Sequence, residues 1–151
     1  KEGWLYLSVL IDLKTRKIAG YSMKDSMPAT LIEETIEMAI KHQGIASHNG
    51  LIIHSDRGSQ YASELIKKKL KEYEITASMS RKGNCYDNSM TETFFKTLKS
   101  ELIYRKNFLT KEDARAAIFE YIEVWYNRKR LHSSLDYKTP EAYEREINLA
   151  A

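Results

Sequence analysis

Apolar residues run almost unbroken from Trp4 to Leu13, W-L-Y-L-S-V-L-I-D-L, in a stretch rich in aromatic and β-branched side chains. Such a run is too continuous for a surface helix and predicts a buried strand. Lys14 to Lys17 supplies a polar turn, and Ile18 to Met23 returns as the second arm of a hairpin. After Pro28 the period changes. Leu31, Ile32, Thr35, Ile36, Ala39 and Ile40 recur at three and four, the inner face of a helix that Pro28 opens and Gly44 stops. Leu51 to His54 is a further strand. Ser63 can cap a helix running to about Tyr73, with Leu65, Ile66, Leu70 and Tyr73 inward, and Ile75 to Met79 is a short strand after it.

The second half reads as helical. Residues 80–87, S-R-K-G-N-C-Y-D, have the composition of a surface loop, and a helical pattern follows from Asn88 to Glu101. Phe95, Leu98 and Leu102 form its anchoring face, with Met90 and Phe94 at the margins. Asn88, Glu92 and Lys99 share the opposite stripe, with Lys96 beside it. Thr110 and Asp113 approximate a capping box before a long helix whose inner positions are Ala114, Ala117, Ile118, Tyr121, Ile122 and Trp125. From Tyr126 the chain turns polar until Thr139 and Pro140 start a last helix. Strands alternating with helices predict an α/β sheet with functional groups at strand ends. With no repeat, low-complexity tract or linker, residues 1–151 read as one unit.

Composition narrows the class. At 151 residues, 42% hydrophobic and 30% charged, the chain can bury a real core and reads as soluble and globular. No stretch has the 18 or so apolar residues of a membrane span, and no leader pattern is present; the expectation is a cytoplasmic protein without membrane contact. The net charge of +3 is mild, but Lys67, Lys68, Lys69 and Lys71 cluster, as do Arg128, Lys129 and Arg130. The lysine group reads as a solvated helix face. Cys85 is the only cysteine, which excludes an internal disulfide and a multi-cysteine zinc site.

The candidate chemistry lies in two carboxylates. In I-I-H-S-D-R-G-S-Q-Y, residues 52–61, Asp56 falls at the end of an apolar run and is followed at once by turn residues. Glu92 sits on the later helix. Hard divalent ions such as Mg2+ take oxygen ligands, often one or two protein carboxylates completed by phosphate oxygens and water. On the residues alone, a helix cap and a solvated face remain the competing reading. Strand alternation puts His54 on the same side as Asp56, where it can support that acid from behind. Asp12, beside the K-T-R-K turn, is more naturally a turn residue or a partner for Arg16 than a metal ligand.

Three segments carry a resemblance: H-S-D-R-G-S-Q-Y (54–61), R-K-G-N-C-Y-D-N-S-M-T-E-T-F-F-K-T-L-K-S-E (81–101) and W-Y-N-R-K-R-L-H-S-S-L-D-Y-K-T-P (125–140). Together they resemble the integrase-core transposases of bacterial insertion sequences, the insertion sequence three family, related to retroviral integrases. The resemblance implies an RNase H-like catalytic core, a mixed sheet flanked by helices, with three acids holding Mg2+ or Mn2+ for DNA cleavage and strand transfer. It makes Asp56 the second acid and Glu92 the third, both catalytic and metal-binding. The first acid, and the central strand bearing it, belongs upstream of residue 1, so the expectation is a core lacking that strand. Lys99 matches a lysine that contacts the DNA end. Asn88 orients Glu92 or touches DNA, and Arg128, Arg130 and His132 are expected on DNA, on a partner subunit, or in a structural clasp. The implied partners are transposon ends, target DNA and further copies of the chain. Two other readings stay open: a simple RNase H-like nuclease, and an inactive remnant that binds DNA or a full-length transposase.

Overall fold

A computed structural model describes residues 3–26, 28–43, 51–55, 63–79 and 89–150. The hairpin forms as β1 (Tyr6–Ile11) and β2 (Ile18–Lys24), and its turn is built by Asp12. The Asp12 carboxylate accepts from the backbone N–H groups of Lys14 at 2.9 Å and Thr15 at 3.1 Å, while its own N–H donates to the Lys17 carbonyl. Arg16 completes the turn in the left-handed region, φ 65°. An acid bonding the backbone two and three residues on is a local turn device, so Asp12 is committed there.

The chain packs as two units: one of residues 4–10 and 19–93, the other chiefly of 11–18 and 94–151. In the first, α1 (Ala29–Gln43) and α2 (Glu64–Glu72) lie with β3 (Ile52–Ser55) and β4 (Thr76–Met79). Leu31, Ile32, Thr35, Ile36 and Ala39 are all buried, as the helical period requires. Thr35 is tolerated there because its hydroxyl donates to the Leu31 carbonyl at 2.9 Å. Ile32 and Ile36 meet Ile66 and Leu70 of α2 and Ile75, one apolar cluster. Ser63 caps α2, its side chain accepting from the Ile66 N–H at 3.3 Å. Lys69 lies across to α1, 2.7 Å from Glu37 and 3.6 Å from Glu33. That lysine is a helix-to-helix tie, and Lys67 pairs locally with Glu64.

β3 and β4 are parallel, with Ile52 opposite Thr76 and His54 opposite Ser78. Among the described residues they form a sheet of two, and β1 with β2 forms another. A cavity lies between them, lined by Ser8, Val9 and Leu10 of β1, Ile53 and Ser55 of β3, Ala77 of β4, and residues of α1 and α2. The free edges of β1 and β3 are therefore not joined by any described strand.

In the second unit, α4 (Lys111–Glu120) starts at Thr110, whose side chain accepts from the Asp113 N–H at 3.0 Å. It continues without a break into a π-helical segment, Tyr121–Tyr126. There Asn127 N–H donates to the Ile122 carbonyl and Arg130 N–H to that of Trp125, each spanning five residues. The wider turn advances the inward direction by one residue. Tyr126 is buried, 6% exposed, while Trp125, the position an unbroken α-helical period sends inward, is 44% exposed. The last helix, α5 (Pro140–Ala150), begins as expected, with Thr139 accepting from the Ala142 N–H at 3.1 Å.

Candidate functional site

Glu92 and Lys99 lie on α3 (Ser89–Glu101), the helix that follows β4. Its buried stripe is Phe94, Leu98 and, just past its end, Leu102, at successive intervals of four. Phe95, expected at the centre of that face, is only half-buried; Phe94 takes the place, 1% exposed, against the ring of Tyr126 at 5.0 Å and nearly perpendicular. Glu92 and Lys99 are exposed, as the expected opposite stripe requires. Neither side chain hydrogen-bonds or pairs with any described residue. Glu92 in the first turn and Lys99 in the last also sit where the helix dipole favours their charges.

Asp56 and Asn88 lie outside the described residues. What the structure does place is β3 itself, described as far as Ser55 and paired in parallel with β4. His54 is exposed on β3 and its Nδ1 lies 3.0 Å from the Ser78 hydroxyl of β4. Among the described residues no three His, Cys, Asp or Glu side chains converge as metal ligands. Glu92 itself is a hard oxygen donor free of described partners, which suits a hard divalent ion.

The basic residues after the π segment are held more firmly than a surface patch. Glu101, in the last turn of α3, accepts from the Tyr121 hydroxyl at 2.9 Å, from Trp125 Nε1 at 3.1 Å, and from Arg130 through Nε at 3.0 Å and Nη2 at 2.9 Å. Desolvation pushes the Glu101 carboxyl up, but the bonds from Arg130, Trp125 and Tyr121 outweigh it and hold the pKa below the ordinary carboxylate value. The Asn127 amide accepts from Ile18 N–H at 2.9 Å and donates to its carbonyl at 3.1 Å, standing in for a neighbouring strand at the start of β2. Arg128 is exposed and 3.1 Å from Glu141. His132 is 8% exposed, its ring edge-on to Tyr126 at 4.8 Å. Of the three basic residues in this segment, Arg128 is at the surface, Arg130 is held by Glu101, and His132 lies against Tyr126. Sequence reasoning assigns no role to Glu101. Its signal is an acid in a C-terminal helical turn, where the dipole disfavours it unless a cation is brought there.

Burial, and then the charge of Arg130, hold the His132 imidazole below its ordinary pKa of 6.5, and its Nε2 is buried without a partner among the described residues. A depressed imidazole pKa means the unfolded chain takes the proton first as pH falls. Stability is therefore expected to decline as pH drops below about 6.5 and to level once the native imidazole also protonates. Urea midpoints at pH 7.5 and 5.5 (roughly a unit either side of an unperturbed histidine) should differ less in His132→Gln than in the wild type. An equal difference in both proteins would exonerate His132.

The described residues thus form an α/β fold that carries an acid and a lysine on the exposed face of α3, opposite a buried stripe, and a parallel strand pair. The chain belongs to the integrase core domain family: that family's pattern matches residues 1–85, and a second pattern of the same description matches residues 92–147. It is 48% identical over 145 residues to the transposase for insertion sequence element IS904 of Lactococcus lactis subsp. lactis (strain IL1403), covering 96% of this chain and 56% of that protein. To the transposase InsF for insertion sequence IS3A of Escherichia coli (strain K12) it is 44% identical over 149 residues, covering 99% and 51%. The chain thus spans about half the length of these curated relatives. Its fold is similar to the catalytic core domain of BIV integrase, at TM-score 0.64 and 19% identity, covering 98% of this chain and 92% of that one. The HTLV-2 integrase catalytic core domain in complex with magnesium (dimeric form) is similar at TM-score 0.62 and 18% identity, covering 93% and 84%. Among the described residues no helix is long and apolar enough to cross a membrane.

Proposed function

We propose that this chain is the catalytic core of an insertion-sequence transposase, a DNA strand-transfer enzyme of the integrase type. The observation that carries the reading is the outer face of α3, where Glu92 and Lys99 stand exposed and without described partners, opposite the buried Phe94, Leu98 and Leu102. Membership in the integrase core family and the transposase relatives support it. Glu92 and Asp56 are the proposed ligands of Mg2+ or Mn2+; when bound, such ions activate the attacking oxygen and neutralise the leaving one in displacement at phosphorus. A magnesium complex among the structural neighbours supports the choice of ion. The chain's own residues position: Glu92 offers carboxylate oxygens, and Lys99, two turns along the same face, offers a point charge to a backbone phosphate. The proposed partners are transposon ends, target DNA and further copies of the chain, the last supported by the dimeric form of the HTLV-2 neighbour. Arg128 and Asn88 are secondary candidates for DNA.

DNA binding tests this. Lys99→Ala is expected to weaken binding of a terminal-repeat duplex and to lower the slope of log affinity against log salt by about one unit, the loss of a single phosphate contact. Lys68→Ala, on the exposed face of α2, is the control. Equal slopes for Lys99→Ala and the wild type would remove Lys99 from the DNA.

A further inference from the structure

We infer that Glu101, held by Tyr121, Trp125 and Arg130, is a positioning residue that sets the rotation of α3 about its own axis and so the direction in which Glu92 is presented. The inference rests on the proposed role of Glu92 as a metal ligand.

A helix held by one contact can roll; two contacts two turns apart from one rigid partner prevent it. Both contacts here come from the π segment and the residues just after it. Tyr126 packs on Phe94 near the start of the stripe. Tyr121, Trp125 and Arg130 converge on Glu101. Seven residues separate these points, about 10 Å along the axis. Arg130 links them, since its guanidinium lies 5.9 Å from the Tyr126 ring centre while both its Nε and Nη2 bond Glu101. Glu92 precedes Phe94 by two residues, which turns it about 200° from the held face. Because α3 is one continuous helix, a roll at Glu101 turns Glu92 about the same axis. The π segment is what makes the convergence: its wider turn lets Tyr126 face inward while Trp125, its neighbour, reaches Glu101 at the rim.

The arrangement also explains why an acid occupies the last turn of α3. A local ion pair cannot account for it, because the cation comes from 29 residues away. A carboxylate accepting from three side chains is directional in a way an apolar contact is not.

The test is Mn2+ titration by calorimetry on the chain and four variants. Glu101→Gln and Arg130→Lys are expected to weaken Mn2+ about tenfold, the low end for groups that orient a ligand from behind, with native circular dichroism. Arg130→Lys keeps the charge and covers the case in which Glu101→Gln fails to fold. Leu135→Ala, a buried truncation in the same unit, should lower thermal stability and leave Mn2+ affinity unchanged; an equal loss of affinity there would reduce the clasp to general stability and overturn the inference. Glu92→Gln separates the two claims. If it weakens Mn2+ and the clasp variants do not, the inference fails alone. If Glu92→Gln changes nothing, the metal reading fails and takes the inference with it.

Discussion

Extending the chain at its N-terminus by roughly twenty residues of upstream coding sequence, enough for a strand and a turn, is expected to give a protein that joins DNA and unfolds at a higher midpoint than residues 1–151. The proposal comes from the gap in the sheet. Among the described residues β1 pairs only with β2 and β3 only with β4, and a cavity bounded by Ser8, Leu10, Ile53 and Ser55 lies between β1 and β3. Unpaired strand edges beside an apolar slot favour an added strand, which would satisfy backbone groups on both sides. An acid on that strand would join Asp56 and Glu92, the two ligands proposed above. Asp12 is unsuited to the task, because its carboxylate already accepts two backbone N–H groups in the turn. The measurement is joining of a labelled terminal-repeat oligonucleotide to plasmid in Mn2+ by the short and extended proteins. Glu92→Gln in the extended protein should lower joining by about 10²–10³, the loss expected when a group acting on transition-state charge is neutralised. Joining by residues 1–151 that disappears in Asp12→Asn would defeat the proposal.

Gly20→Ala should come close to unfolding the first unit. A Cβ at Gly20 would meet the Thr35 carbonyl oxygen at 2.3 Å and the Ala39 backbone nitrogen at 2.9 Å. Both are backbone atoms of α1, so no side chain can swing aside. β2 and the helix must part, along the row where Thr35, Ile36 and Ala39 are buried. Overpacking typically costs about 1–3 kcal/mol and sometimes more, and with backbone on both sides we expect about 3 kcal/mol or beyond. That is a large share of the roughly 5–15 kcal/mol available to a domain. Urea denaturation reads it directly. An unchanged midpoint would mean that β2 and α1 do not approach as closely as described.

Where structure depends on neighbours within a turn, the chain spells it out. The α1 stripe, the Asp12 turn and the caps at Ser63, Thr110 and Thr139 all follow from contacts spanning two to four residues, and each is found where the pattern puts it. The family resemblance was likewise legible, because its three motifs are long and ordered, and it carried the reading of Glu92 and Lys99 further than spacing could. Tertiary structure decided the rest. A 3.6-residue period assumes α geometry throughout, and the π segment breaks that assumption, turning Tyr126 inward and leaving Trp125 at the rim. The same displacement lets Phe94 rather than Phe95 meet the core, since the ring it packs on belongs to Tyr126. Arg130 and His132 look like a basic surface patch in sequence because they continue the polar, basic run of Arg128 and Lys129. Glu101 lies 29 residues from Arg130, and only folding brings that carboxylate to the guanidinium and puts Tyr126 against the imidazole.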